Sequence, residues 1–250
     1  MRVIATVEAR MSSTRLPGKT MMPLLGKPVL DRVIERIRWS QRVEEVVVAT
    51  TTDTADGVIV EHCNDEKIRC FRGSEEDVLG RVITAAQNYQ GELLVQLGAD
   101  CPFYDPDLID QMVDIYLAGE YDYVTNDMEP TYPEGVDAHV VALKTLEEVA
   151  GKTSNNKDRE DVVRYIFERP EEYRIFNLRA PSELYAPEVR LTLDYQEDFV
   201  LTEAIYSALY PDYPRFTTSD VLSFLETRPE LRSINTHCEQ LSAPYKKESQ

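Results

Sequence analysis

Along most of this 250-residue chain, short apolar and β-branched runs alternate with segments whose apolar residues recur at helical spacing. A chain patterned in that way builds βαβ units, which assemble into a parallel sheet covered by helices on both faces. Strands are predicted at Arg2 to Val7, Glu45 to Ala49, Arg69 to Phe71, Leu93 to Leu97 and Tyr121 to Val124, then at His139 to Ala142, Tyr173 to Asn177 and Arg190 to Leu193. Val29, Val33, Ile34 and Ile37 share one helical face, and Val78, Val82, Ile83 and Ala86 share another. Leu108, Ile109, Met112, Val113 and Tyr116 mark a third helix, opening after Pro106, where proline suits a first turn. The expected fold class is α/β with a mostly parallel central sheet.

The turn-rich segment Thr125 to Asp137 divides the pattern, so residues 1–124 read as a doubly wound half and 125–237 as a smaller region that completes the sheet. Together they make one expected domain, 1–237, followed by an aperiodic tail at 238–250. With 42% hydrophobic residues the chain can bury a sizeable core. A net charge of −18 argues against nucleic acid or an anionic membrane as partner, because both are bound by neutralising phosphates with Lys and Arg. Cys63, Cys70, Cys101 and Cys238 show neither zinc-ligand spacing nor a disulfide framework. The N-terminus enters a strand directly, and no apolar run approaches the roughly 18 residues of a membrane span, so a cytoplasmic location is expected.

Against that acidic background, the loop after the first strand is a local exception. Glu8-Ala9-Arg10-Met11-Ser12-Ser13-Thr14-Arg15-Leu16-Pro17-Gly18-Lys19 packs three cations and three hydroxyls into one short stretch. Arg grips phosphate oxygens bidentately, Lys acts as a point charge, Ser and Thr donate, and Gly18 lets the backbone come close. The first strand-to-helix loop of an α/β sheet is also where ligands bind. An anionic small molecule is the ligand this loop suits.

Two further strand ends carry acids. Gln96-Leu97-Gly98-Ala99-Asp100-Cys101-Pro102 places Asp100 at the carboxyl edge of a strand, and Leu191-Thr192-Leu193-Asp194 does the same for Asp194. Each Asp alone also suits a turn or a helix cap. Side by side, they would flank one hard divalent cation such as Mg²⁺, which uses one or two carboxylates together with substrate phosphates. In Phe71-Arg72-Gly73-Ser74-Glu75-Glu76-Asp77, capping accounts for Ser74 and the acids, whereas Arg72 is free to donate to a base carbonyl or a phosphate.

Taken together, these segments resemble the cytidylyltransferase family that includes spore-coat polysaccharide cytidylyltransferase-like proteins, related to the synthetases of CMP-octulosonate and CMP-acylneuraminate. The likeness runs from Met1 to about Leu209. It rests on Ala9 to Lys19, Arg72-Gly73-Ser74, Gly98 to Pro102, Thr131-Tyr132-Pro133-Glu134-Gly135-Val136-Asp137, Asp158-Arg159-Glu160-Asp161 and Leu193 to Asp198. It implies a Rossmann-like nucleotidyltransferase that uses Mg²⁺ and CTP to activate a sugar acid or phosphorylated acceptor, releases pyrophosphate, and pairs as a homodimer. Residues 1–124 then become the nucleotide-binding half and 125–237 the acceptor-binding region.

Carried over by position, Lys19, Arg10 and Arg15 are catalytic, and Ala9, Arg10, Ser12, Ser13, Arg15, Gly18, Lys19, Arg72, Ser74 and Asp100 bind the nucleotide. Tyr132, Glu134, Asp137 and Arg159 line the acceptor pocket, and Asp100 and Asp194 hold the metal. The chain departs from the family at Asp161-Val162-Val163-Arg164, where a His and a Thr-Pro are usual, and at Tyr195-Gln196, which replace a second Thr-Pro. Two alternatives are a nucleotide-sugar glycosyltransferase, whose metal motif generally wants a close acidic pair, and a non-catalytic nucleotide-binding subunit.

Overall fold

The computed structural model describes residues 1–239, so the expected tail falls outside the described residues except for Cys238 and Glu239. The chain opens with β1 (Val3–Glu8), buried on both faces until its last residue, as the apolar run demands of a central strand. The loop that follows ends in a helical turn at Lys19–Met21 and a small hairpin, β2 (Pro23–Leu24) and β3 (Lys27–Pro28). Next come α1 (Val29–Ile37), β4 (Glu45–Thr51), α2 (Gly57–Asp65), β5 (Arg69–Gly73), α3 (Val78–Asn88), β6 (Leu93–Gly98) and α4 (Pro106–Ala118). The second region adds β7 (Tyr123–Thr125), β8 (His139–Ala142), α5 (Leu143–Lys152), α6 (Asn156–Arg159), α7 (Arg164–Phe167) and β9 (Ile175–Asn177). It closes with α8 (Gln196–Leu209), α9 (Thr218–Glu226) and α10 (Pro229–Arg232).

Seven strands form one sheet in the order β5-β4-β1-β6-β8-β7-β9. β1 lies parallel between β4 and β6, and β5 and β9 extend the sheet in parallel pairs. Only β8 runs against its neighbours β6 and β7. The mostly parallel Rossmann-like sheet expected from the sequence is therefore present. The reversal at β8 has a simple cause: the chain returns from β7 through loop 126–138 with no crossover helix, and a parallel return needs one. The expected strand at Arg190 to Leu193 is a correction. Among the described residues that segment makes only an isolated bridge, Glu134 with Arg190, because Gly135, at φ 96°, turns the partner loop directly after Glu134.

Apolar side chains pack in two layers, one on each face of the sheet. One contains Val33, Ile37, Met112, Val113 and Phe103, and the other Ile4, Val82, Ala86, Leu94 and Leu146. The predicted faces of α1, α3 and α4 supply both layers, and Asp105 caps α4 by accepting from the Asp107 amide at 3.1 Å. Burial of the Val, Leu, Ile, Met and Phe side chains among them stabilises by roughly 1.5–3 kcal/mol each. Among the described residues, no helix is long and apolar enough to cross a membrane.

Candidate active site

Strand register decides what meets at the sheet's carboxyl edge. Glu8 at the end of β1 pairs with Ala49 of β4 and Gly98 of β6, so the loops after β1 and β6 rise side by side. The β1 loop is pinned at several points. Buried Asp56 accepts from the Met11 amide at 2.7 Å, Thr20 Oγ1 donates to Arg10 O at 3.2 Å, and Leu16 is buried. Gly18 turns at φ 74° and donates to Met11 O at 3.1 Å, closing the loop before Lys19 enters its helical turn.

The result is a cleft of about 690 Å³ whose walls include Ala9, Arg10, Ser12, Ser13, Arg15, Lys19, Asp100 and Asp194. Lys19 Nζ donates to Asp100 Oδ2 at 2.7 Å and to Asp194 Oδ1 at 2.9 Å, with only 11% of the lysine side chain exposed. The two carboxylates thus meet on one cation, although they are 94 positions apart in the numbering. The Leu193 amide, donating to Asp100 O at 2.8 Å, brings the two segments together. At Gly98 the backbone makes room for this arrangement, since a Cβ there would lie 2.5 Å from Asp100 Oδ1.

Asp194 is the most heavily held group. Besides Lys19, its Oδ1 takes Arg15 Nη2 at 2.9 Å and its Oδ2 takes Arg190 Nη2 at 2.9 Å. Burial would raise its pKa, but Lys19, Arg15 and Arg190 outweigh burial and hold it below the usual carboxylate range. Burial likewise works against the Lys19 ammonium, and Asp100 and Asp194 overcome it and hold lysine above its ordinary value. Arg15 also stacks over Tyr195, 5.1 Å from the ring centroid.

Behind Asp194 stands a network that the sequence did not announce. Arg190, 7% exposed, pairs with Asp198 at 3.0 Å and takes both oxygens of Glu134 at 2.9 and 3.0 Å. Asp198 Oδ2 accepts the amides of Asp194 and Tyr195 at 2.8 and 2.9 Å, and Asn235 Nδ2 donates to Asp198 Oδ1 at 2.8 Å. Burial disfavours the Arg190 charge, but Asp198, Glu134 and Asp194 more than compensate and keep its pKa above normal.

Other expected site residues lie elsewhere. Arg72 is not on the cleft wall, because its guanidinium donates to Thr51 O at 2.8 Å and Asp53 O at 2.6 Å. Ser74 accepts the Asp77 amide at 3.0 Å, the capping role. Glu134 is turned to Arg190, Asp137 accepts from Gly135 within its own loop, and Arg159 pairs with Asp77. Tyr132, 4% exposed, lines a separate cavity of about 380 Å³ with Asp105, Leu108 and Arg179. The cleft wall carries Glu8, Glu75, Glu76, Arg81 and Glu160 instead. Glu75 reaches across to the β1 loop, accepting from Ser12 Oγ at 3.1 Å and lying 3.5 Å from Arg10 Nη1.

The donor set suits a hard dication. Asp100 and Asp194 both reach one cationic position, offer oxygen only, and leave the remaining coordination to phosphate and water. Elsewhere among the described residues, Glu197, His237 and Cys238 bring ligand atoms within 4.8 Å of one another outside the cleft.

Known proteins resemble this chain over most of its length. The Bacillus subtilis spore coat polysaccharide biosynthesis protein SpsF is 32% identical, the match covering 91% of this chain and 95% of that protein. The 3-deoxy-manno-octulosonate cytidylyltransferase of Geobacter metallireducens is 29% identical over 45% of this chain and 44% of its own length. A solved cytidylyltransferase from Leptospira borgpetersenii superimposes with a TM-score of 0.87 at 30% identity, covering 93% of this chain and 97% of that one. The sequence pattern of the cytidylyltransferase family matches residues 4–233, nearly the whole described fold and every wall of the cleft, and this chain belongs to that family of nucleotidyltransferases.

Proposed function

We propose that the protein transfers the CMP group of CTP to an oxygen of a sugar acid or related acceptor, with Mg²⁺ bound, in surface polysaccharide or glycan synthesis. The observation that carries the proposal is the Lys19 ammonium seated between Asp100 and Asp194 at the foot of a loop bearing Arg10 and Arg15. Support for the acceptor class comes from the names of the Bacillus and Geobacter relatives.

In this account the acceptor oxygen bonds to the α-phosphorus, and the bond from that phosphorus to the bridging oxygen breaks, releasing pyrophosphate. The acceptor's proton leaves with no side chain assigned as its base. Arg10, Arg15 and Lys19 hold the phosphates, and the Lys19 ammonium neutralises charge that grows in the transition state. Ser12, Ser13 and the backbone around Ala9 and Gly18 add neutral donors. Arg10 and Ser12 exchange Glu75 for phosphate oxygens as the nucleotide enters. Asp100 and Asp194 are the residues that would hold Mg²⁺, which supplies charge neutralisation along the triphosphate when bound. Arg190 and Asp198 keep Asp194 oriented whether or not the cleft is filled. The proposal also takes the chain as a homodimer, which a solution mass of twice the chain supports and a mass of one chain refutes.

Pyrophosphate release, measured with Mg²⁺ for each of the four ribonucleoside triphosphates against sugar acids, sugar phosphates and small phosphorylated acceptors, tests the proposal. Release with CTP and a sugar acid supports it, and release with another triphosphate overturns the base. Triphosphate binding without turnover favours a non-catalytic subunit, and turnover of a nucleotide sugar favours a glycosyltransferase.

A further inference from the structure

Glu8 is among the titratable groups of the cleft that the phosphate chemistry leaves unused. Glu8 lines the cleft from the end of β1, and its Oε1 accepts from Gln96 Nε2 of β6 at 2.8 Å. That bond engages Oε1 and leaves Oε2 as the carboxyl's second acceptor. Arg81 lines the same cleft from α3, 5% exposed, with Nη1 donating to Ser74 O.

The cleft's chemistry is divided. Lys19, Arg15, Asp100 and Asp194 form a corner suited to phosphate and metal. Glu8 and Arg81 present one acceptor beside one donor and no phosphate-like cradle, the complement of a nucleobase edge. Cytosine carries an exocyclic amine next to ring acceptors, whereas uracil has a carbonyl where that amine stands. A carboxylate oxygen accepts from the amine and faces the uracil carbonyl as a second acceptor with no proton between them.

We propose that Glu8 and Arg81 are the base-reading pair of the cleft, Glu8 Oε2 accepting from the cytosine amine and the Arg81 guanidinium donating to the adjacent ring acceptor, an inference that rests on the CTP reading. Gln96 fixes the rotation of the carboxyl by holding its other oxygen. The pair also gives discrimination a pH dependence. Burial pushes Glu8 up to about 7, opposed by the Gln96 hydrogen bond and Arg81 and assisted by Asp161 and Asp100, the charged groups around it. The ionised form rejects uracil, while the protonated form donates to its carbonyl, so preference for CTP over UTP rises with pH through about 7. The terminal phosphate titrates in the same range but is common to both nucleotides and cancels in the ratio.

Calorimetric titration of the full chain with CTP and with UTP, with Mg²⁺ present, at pH 6 and pH 8, tests the pair. The wild type is expected to prefer CTP by about tenfold or more at pH 8 and by less at pH 6. Glu8→Leu is expected to lose CTP affinity and the pH trend, keeping at both pH values only the smaller preference that Arg81 sets against the uracil ring N–H. Glu8→Gln retains side-chain volume should the leucine variant fail to fold, and is expected to lose the pH trend. Variants that keep both the wild-type ratio and its pH trend overturn the role of Glu8 while leaving the CTP reading intact. A wild type with no preference for CTP overturns the CTP reading, and the base-reading pair with it.

Discussion

Replacing Lys19 by Met keeps an unbranched side chain of similar length and removes the ammonium that joins two carboxylates. The native side chain is 11% exposed and makes hydrogen bonds of 2.7 and 2.9 Å to Asp100 and Asp194. Each charge-assisted bond is worth about 1.5–3 kcal/mol, and breaking a buried pair from one side costs about 3–5 kcal/mol. Asp194 retains Arg15 and Arg190, which places the expected loss at the low end, about 3 kcal/mol. For a chain of this length that lowers the melting temperature by about 6–12 °C.

Turnover should fall further than stability suggests, by about 10²- to 10³-fold, because a donor aimed at developing charge is lost. Two side effects identify the cause. Asp194 is held below the usual carboxylate range, so its share of stability is present above about pH 4 and is lost as pH falls further, and Lys19→Met flattens that acid limb. Mg²⁺ should also stabilise the variant more than the wild type, since both carboxylates lose their resident cation. Denaturant unfolding from pH 2 to 7, with and without Mg²⁺, and steady-state pyrophosphate release read all of these. Turnover within threefold of wild type in a folded variant refutes the role of Lys19.

Three other substitutions probe neighbouring parts of the site. Arg190→Met should destabilise by about 3–5 kcal/mol and raise the Mg²⁺ concentration needed for half-maximal rate, because Glu134, Asp194 and Asp198 lose their shared partner; an unchanged Mg²⁺ requirement in the folded variant counts against its positioning role. Gly98→Ala sets a Cβ against the movable end of Asp100, so stability should change by less than about 1 kcal/mol while turnover drops at least about tenfold, and wild-type kinetics contradict the expectation. Glu8, raised by burial from 4.5 to about 7, contributes stability that is full below about pH 4.5 and is lost as pH rises through about 7, by up to about 3 kcal/mol. Glu8→Gln should lack that fall, and parallel unfolding free energies for the two proteins between pH 5 and 8 would exclude it.

What the sequence made legible was local chemistry at the ends of strong strands. Arg10, Arg15, Lys19 and Asp100 stand in the loops after β1 and β6, where periodicity and the parallel-sheet rule already predict a crevice, and Asp194, after a segment that reads as a strand, converges on them in the structure. The pairing partners were not legible, because they depend on where distant segments return. Arg72 has the chemistry of a phosphate or base ligand, yet carbonyls at the end of β4 lie nearer to it. Glu134 looked like an acceptor contact until the fold brought Arg190 against it across 56 positions. Arg190 to Leu193 alternates like a strand, but its only bridge is to Glu134 in a short turn. Glu8 read as the first residue of the loop after the first strand, and only its place with Gln96 and Arg81 in the fold gives it a role. The α2 helix, with Val58, Ile59 and Val60 in its first turn, carries β-branched residues that hide helical periodicity.

The central claim is transfer of the nucleotidyl group, and isotopic position tests it most directly. CTP labelled at the α-phosphate and, separately, at the γ-phosphate would be incubated with the protein, Mg²⁺ and a sugar-acid acceptor, and the products separated. The account predicts α-label in the acceptor product and γ-label in pyrophosphate. Label from the γ-position on the acceptor, or α-label recovered only in free CMP, contradicts it.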